Sequence, residues 1–380
     1  MTAEIEFVRT NGGGRIYRIP LVLFPFLKGF AHLVLDGDVA ALIDSGSGFM
    51  DSNEQLDQAF ASISSQFDEN VSWEDLTHVL ITHGHIDHFG GLNFVRQRTR
   101  APIGIHHLDA KVLMHYEERV AMMAKRLDQY LIEAGVREAY RQELMNTYLI
   151  NKDLFTSLMP DFNYFAVGMR VGRLEMLHVP GHCPGQVIIR LDDVLLSGDH
   201  ILPHITPHQA PERLSLNMGL GHYLDSLERT RTWHPEVKYV LGGHGEQMHD
   251  LGRRIDEIEE SHRDRLRKIV GELEESKTLA EISSALFPEV EGYDKLLAVE
   301  EAGAHVEYLA QLGYVYVDNI DDLETHSIVP LRYRRADGLE NPWFPIGRNL
   351  KPRVGSSARG EGYFEQFRVG WESSEPSPKE

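Results

Sequence analysis

The sequence predicts an α/β fold that carries a helical insertion and a C-terminal helical module. Three observations point there. The chain opens on strand-like segments; helix and strand then alternate, with strands ending at glycine beside a ligand-type side chain; and after Asp250 the apolar spacing turns helical. At 380 residues the chain exceeds the roughly 100–200 residues of one ordinary domain, so more than one unit is expected.

From Arg15 to Asp44 the sequence reads as strands, IYRIPLVLF, AHLVLDG and DVAALIDSG, the last two joined by a tight turn at Asp36-Gly37-Asp38. Asp51 to Gln66 has helical spacing through Leu56, Ala59, Phe60 and Ile63, and Leu76 to Thr82 is a short apolar strand. Residues 108–160 break the alternation. Val112, Leu113, Tyr116, Val120, Met123, Leu127, Tyr130 and Leu131 recur every three or four residues until Gly135, and a second helix is expected over Arg137 to Met159. Such a helical pair is either a packing element or a lid over the site, because periodicity does not say what covers its apolar face. Strands resume at Leu174–Val179, Val187–Leu191, Val194–Leu196 and Val237–Leu241. After Asp250 come helices over Ile255–Glu275, from the capping box Thr278-Leu-Ala-Glu281 to Phe287, and over Tyr293–Leu312, then a strand-like Gly313–Asp318. Three helices and a β element suggest a winged helix. The domains expected are therefore 1–250, with the insertion at 108–160, a winged-helix-like 251–324, and a tail 325–380 that ends in the polar Glu372–Glu380, expected to be disordered.

Composition excludes several classes. No basic segment precedes an apolar run at the start, and the apolar stretch Ile16–Leu35 is broken by Pro20, Pro25, Lys28 and His32, so neither a signal peptide nor a membrane span is expected. Cys183 is the sole cysteine, which rules out an intramolecular disulfide and a multi-thiolate zinc site and points to a reducing cytoplasm. The formal charge of −20 disfavours polyanions as partners.

The chemistry is concentrated in His83-Gly-His85-Ile-Asp87-His88. In an extended segment His83 and His85 share a face and can grip one ion, and where the chain turns, adjacent Asp87 and His88 can aim at a second. Glycines 84, 90 and 91 permit the tight path. Downstream, Gly181-His182, Gly198-Asp199 and Gly243-His244 each place a ligand-type side chain after glycine at a strand end.

With these residues the chain resembles the metallo-β-lactamase superfamily, whose HxHxDH, H, D, H pattern is matched in order over about residues 15–250 apart from the insertion. The resemblance implies an αββα four-layer sandwich in which His83, His85 and His182 hold a first metal, Asp87, His88 and His244 a second, and Asp199 bridges both. Asp44 matches an aspartate of the family that orients ligand or backbone groups. It further implies a hydrolase with two divalent ions, zinc first and manganese or iron as alternatives. A hydroxide between cations about 3.5–4 Å apart would attack the substrate, with Asp87 and Asp199 as the catalytic carboxylates. An iron dioxygenase of the same fold would need one metal, and the complete second set argues against it. Asp199, where lactamases of the best-known class carry Cys, favours the glyoxalase-II-like, lactonase or phosphodiesterase side over a β-lactam, and a small ester, thioester or lactone is the substrate expected. Iron-binding diflavin relatives usually carry Glu where this chain has His85, and no flavin module is recognisable here.

Other residues carry weaker signals. His204, His208 and Tyr223 are candidates for substrate contact on the Pro-ruled loop that leaves Asp199 and just beyond it. His106, His107 and His115 read as structural, and Cys183 as a packed thiol. The winged-helix-like module makes the chain similar to the lactamase-like endoribonuclease branch, which implies RNA phosphodiester cleavage as the rival activity. Charge argues against it: Leu251–Glu324 carries eight Lys or Arg against nineteen Asp or Glu. The module is expected to pack on the catalytic core or on a second copy in a homodimer. Arg332, Arg334 and Arg335, with Arg348, Lys351 and Arg353, would either pair with its acids or greet an anionic small-molecule substrate.

Overall fold

The computed structural model describes residues 4–164 and 167–338. β1 (Glu6–Arg9), β2 (Arg15–Phe24), β3 (Leu27–Asp36) and β4 (Val39–Ile43) form an antiparallel meander. Strand alternation gives it two buried faces: Tyr17, Ile19, Leu21, Ala31 and Leu33 pack towards helices, Ile16 and Val34 towards a second sheet. α1 (Ser52–Gln66) lays Leu56, Phe60 and Ile63 on the helical side. β5 (His78–Leu80) leads to the short α2 (Ile86–Phe89) and α3 (Leu92–Arg98), and β6 (Ile103–His106) follows.

The insertion holds α4 (His107–Met114), α5 (Tyr116–Glu133) and α6 (Glu138–Leu149). The long first helix expected from the spacing is broken at His115, where the backbone leaves helical geometry and Tyr116 N–H turns to Ser157 Oγ at 3.0 Å. The second ends at Leu149 and not Met159, running into a single 3₁₀ turn at Ile150–Asp153.

β7 (Phe162–Tyr164) completes a seven-stranded sheet in the order β1 to β7. β8 (Val167–Val171), β9 (Leu174–His178), β10 (Val187–Leu191) and β11 (Val194–Gly198) build the second sheet, closed after α7 (Leu220–Arg231) by β12 (Tyr239–Gly242), in the order β12-β11-β10-β9-β8. Val34, Ile43, Leu80, Leu174, Ile189, Leu196 and Leu241 fill the space between the sheets, and helices cover both outer faces. The mixed α/β fold is a four-layer αββα sandwich.

The C-terminal part runs α8 (Leu251–Glu272), β13 (Lys277–Thr278), α9 (Leu279–Leu286), α10 (Asp294–Gln311), β14 (Val315–Val317), α11 (Ile320–Thr325) and β15 (Arg332–Arg335). The capping box of Thr278 and Glu281 is formed in both directions. Arg332–Arg335, read from sequence as tail, is instead the central strand of a small sheet ordered β13-β15-β14, because Tyr333 turns inward and is buried while its arginines stay outside. Arg332 pairs with Glu281 and Arg335 with Glu274, so both answer the module's own acids. Arg348, Lys351, Arg353 and the polar end lie outside the described residues.

α10 is buried on most sides, through Leu296, Val299, Ala302, His305, Val306 and Leu309. Its neighbour is the insertion: Tyr130 of α5 donates to Val299 O at 2.9 Å, and a Cβ at Gly303 would stand 2.0 Å from the Tyr130 hydroxyl. Leu127, Tyr130, Leu131 and Leu144 share one core with α7, α8 and α10. That apolar face is a packing surface.

Candidate metal centre

The candidate ligands gather at one end of the sandwich. His83 and His85 follow β5, His182 lies between β9 and β10, Asp199 follows β11 and His244 follows β12, while Asp87 and His88 sit on α2. His83 Nε2 and His85 Nδ1 are 3.1 Å apart, and ligand atoms of His83, His85, His182 and Cys183 fall within 4.8 Å of one another, as do those of Asp87, His88, Asp199 and His244. Asp199 stands between the groups, with Oδ2 3.8 Å from His182 Nε2 and 3.4 Å from His244 Nε2, and Oδ1 3.4 Å from His88 Nε2. Asp87 Oδ2 is 3.2 Å from His244 Nε2 and 3.6 Å from His88 Nε2.

The outward ring nitrogens are already committed. His88 Nδ1 donates to Asp44 at 2.8 Å, His182 Nδ1 to His208 O at 2.8 Å, and His244 Nδ1 to Lys28 O at 2.7 Å. His83 Nδ1 lies 3.0 Å from Thr82 Oγ1, whose own proton goes to Asp44. Four rings are thus held with Nε2 inward, as metal ligation requires. Buried and without hydrogen-bond partners among the described residues are His88 Nε2, His182 Nε2 and Asp199 Oδ1. Converging polar atoms left unpaired in this way would carry a steep desolvation cost unless a cation answered them. The residues therefore fit a metal.

Electrostatics divides the centre. Burial holds His83 and His182 below the ordinary imidazole range and takes His85 down to about 3. On the other side burial opposes charge, yet Asp199, Asp87 and Asp44 hold His88 well above that range, and Asp199 with Asp87 brings His244 up to about 10. The carboxylates respond in kind. Against their burial, His88 and His244 hold Asp199 well below the usual range and Asp87 down to about 2.

The backbone is shaped to this crowding. A Cβ at Gly243 would lie 2.5 Å from Asp199 Oδ1 and 2.6 Å from His88 Cε1, so no larger residue fits between two ligands. Asp44 adopts a left-handed φ of 60° and fastens the HxHxDH loop, taking Thr82 N–H at 2.8 Å.

Asp109 was not visible to sequence reasoning. Buried on α4, it accepts Gly84 N–H at 2.8 Å with one oxygen and Gly185 N–H at 3.0 Å with the other, tying the loop of His83 and His85 to that of His182. Arg18 does the same work at His244: fully buried, it spans Gly242 O at 3.4 Å and Gly245 O.

The three rim candidates fare differently. His204 is exposed and paired with Glu246. His208 turns its ring to Leu297 O at 3.1 Å, and its carbonyl serves His182. Tyr223 is a correction: it is fully buried, its hydroxyl bonded to His200 O at 2.9 Å, because it lies on the inner face of α7. His106, His107 and His115 stand outside the cluster. Cys183 is buried among the ligands' neighbours, and burial raises its thiol well above the ordinary range.

A further buried group, His262, Glu301 and His305, also brings its ligand-type atoms within 4.8 Å, but Arg265 Nη1 already sits 3.1 Å from Glu301 Oε1.

Among known proteins, residues 25–274 match the family model described as the metallo-beta-lactamase superfamily. The chain is 25% identical over 308 residues to the probable metallo-hydrolase YqjP of Bacillus subtilis (strain 168), covering 75% of this chain and 89% of that protein. A metallo-beta-lactamase family protein from Thermus thermophilus superposes with a TM-score of 0.67 at 22% identity, covering 84% of this chain and 98% of the other. A beta-lactamase domain protein from Burkholderia ambifaria gives 0.67 at 23%, covering 87% and 94%. The family match and the His/Asp cluster together support a metal-dependent hydrolase that uses divalent ions. Among the described residues no helix is long and apolar enough to cross a membrane.

Proposed function

The chain belongs to the metallo-beta-lactamase superfamily, and from that premise we propose that it binds two divalent ions, zinc first, and hydrolyses a small ester, thioester or lactone. The observation that carries the reading is the set of inward, unpartnered ligand atoms flanking a shared carboxylate, Asp199. His83, His85 and His182 would hold one ion; Asp87, His88 and His244 the other. Bound divalent ions supply a Lewis acid for the substrate oxygen and bring water's pKa near 7.

The chain's own groups do the rest. Asp44, Thr82, His208 O and Lys28 O fix the ring orientations, so the centre is organised before substrate arrives. Asp87, whose Oδ2 lies 3.2 Å from His244 Nε2 within the centre, would orient the attacking water by accepting its hydrogen bond. An RNA substrate has less support: α10, the nominal recognition helix, is buried on most sides, and Arg332 and Arg335 are paired within the module.

Turnover of zinc-loaded protein on a panel of thioesters, lactones, simple esters and a structured RNA tests the reading. Hydrolysis of at least one acyl substrate with RNA left intact is expected. RNA cleavage without acyl turnover would replace it.

A further inference from the structure

His182 and helix α10 meet through a single peptide group. The peptide joining His208 to Gln209 turns its carbonyl to His182, which donates from Nδ1 at 2.8 Å, and its N–H to Glu301 Oε2 at 2.7 Å. Glu301 and Gln209 are both buried. The other oxygen of Glu301 receives Arg265 Nη1 at 3.1 Å, and the same nitrogen reaches Thr206 Oγ1 at 2.8 Å, so the loop is held at Thr206 as well as at the Gln209 amide. The ring of His208 is drawn away to Leu297 O, also on α10, at 3.1 Å. On its inner side His182 Nε2 has no hydrogen-bond partner among the described residues and faces Asp199.

A carboxylate that accepts an amide N–H draws charge through the amide and strengthens its carbonyl as an acceptor, since hydrogen bonds in a chain polarise one another. The strengthened carbonyl holds the proton of His182 on Nδ1 and the lone pair of Nε2 towards the centre. Metal-binding histidines often have a carboxylate directly on the outer nitrogen, and its removal typically costs about 10–100-fold in metal affinity. Here the carboxylate acts at one remove, from a helix outside the two-sheet sandwich.

We propose that Glu301 is a positioning residue for His182, acting through the His208–Gln209 peptide, and that the C-terminal module thereby forms part of the metal centre. The inference rests on the reading of His182 as a metal ligand. Glu307 supplies the internal control: it lies on the same helix and accepts Glu212 N–H at 2.6 Å and Arg213 N–H at 3.3 Å from the same loop, without touching a ligand's partner.

The test uses full-length protein labelled with 15N-histidine. The tautomer of His182 is read by NMR in the metal-free state, and zinc affinity by competition with a chromophoric chelator. Wild type is expected to show His182 protonated on Nδ1. Glu301→Ala should mix the tautomers and weaken zinc by about 10–100-fold, whereas Glu301→Gln, which keeps an oxygen for Gln209 N–H, should fall between it and wild type. Glu307→Gln should match wild type in both readouts. Wild-type tautomer and zinc affinity in Glu301→Ala would overturn the proposal. So would equal losses in Glu307→Gln, which would assign the effect to general packing of α10. His182→Ala separates the underlying reading: unchanged zinc binding there would remove His182 from the ligand set, and this proposal with it, whatever the acyl panel shows.

Discussion

Among the described residues, two buried clusters combine histidine with carboxylate, one at the end of the sandwich and one between α8 and α10. In the first, outward nitrogens are tied to Asp44, Thr82, His208 O and Lys28 O, and inward atoms of His88, His182 and Asp199 have no hydrogen-bond partner among the described residues. In the second, His262 Nδ1 and His305 Nε2 hydrogen-bond each other at 3.0 Å, His305 Nδ1 is bonded to Glu301 O at 2.7 Å, and Arg265 supplies the positive charge. Residue type and proximity are the same in both. His262 Nε2 is likewise buried without a hydrogen-bond partner among the described residues, but it is the nitrogen on the far side of its ring from the His305 bond; what differs is whether the converging atoms are already bonded to one another, and whether a cation of the protein's own stands among them. A metal site is recognised by its unsatisfied acceptors as much as by its ligands.

The largest effect should come from the shared carboxylate. Asp199→Ala is expected to lose at least one metal ion and to lower kcat/KM on the order of a thousandfold or more, since a metal centre contributes several kcal/mol to charge stabilisation. Kinetics alongside metal analysis would check it, and full metal content in an inactive variant would make Asp199 catalytic without being a ligand.

Arg265→Ala probes the second cluster. It removes the counter-charge of the buried Glu301, whose carboxyl burial already pushes up to about 7; the group then takes up a proton, and the loss of its hydrogen bond should cost about 1–3 kcal/mol of stability in urea unfolding. If the guanidinium is what keeps metal out of the second cluster, the variant should also take up one zinc more than wild type. An unchanged zinc count would place the exclusion in the mutual hydrogen bond of the two imidazoles.

The smallest effect is expected at the rim. His204→Ala removes an exposed ion pair with Glu246, so stability and metal content should stay at wild type. A marked rise in KM with kcat unchanged would put His204 against substrate after all.

How much of this could be read from the sequence depended on locality. His83, His85, Asp87 and His88 lie within six positions, and His182, Asp199 and His244 each follow a glycine at a strand end, so local pattern was enough to gather them. Asp109 and Glu301 have no such signature. Each acts on backbone groups far away in the chain, Gly84 and Gly185 for one and Gln209 for the other, and only the packed fold brings those together. Tyr223 misled because adjacency to the loop after Asp199 suggested the rim, whereas its helical register turns it inward. Arg332–Arg335 misled through composition: three arginines around one tyrosine read as tail, while strand alternation buries the tyrosine and leaves the charges outside.

The inward atoms around Asp199 should answer two ions. Inductively coupled plasma analysis of active wild-type protein, with metal content and specific activity measured on the same samples during stepwise loading, tests it most directly. Activity should rise to its maximum as the content approaches two ions per chain. Full activity at one ion per chain would show that a single ion suffices and rule out a two-ion centre.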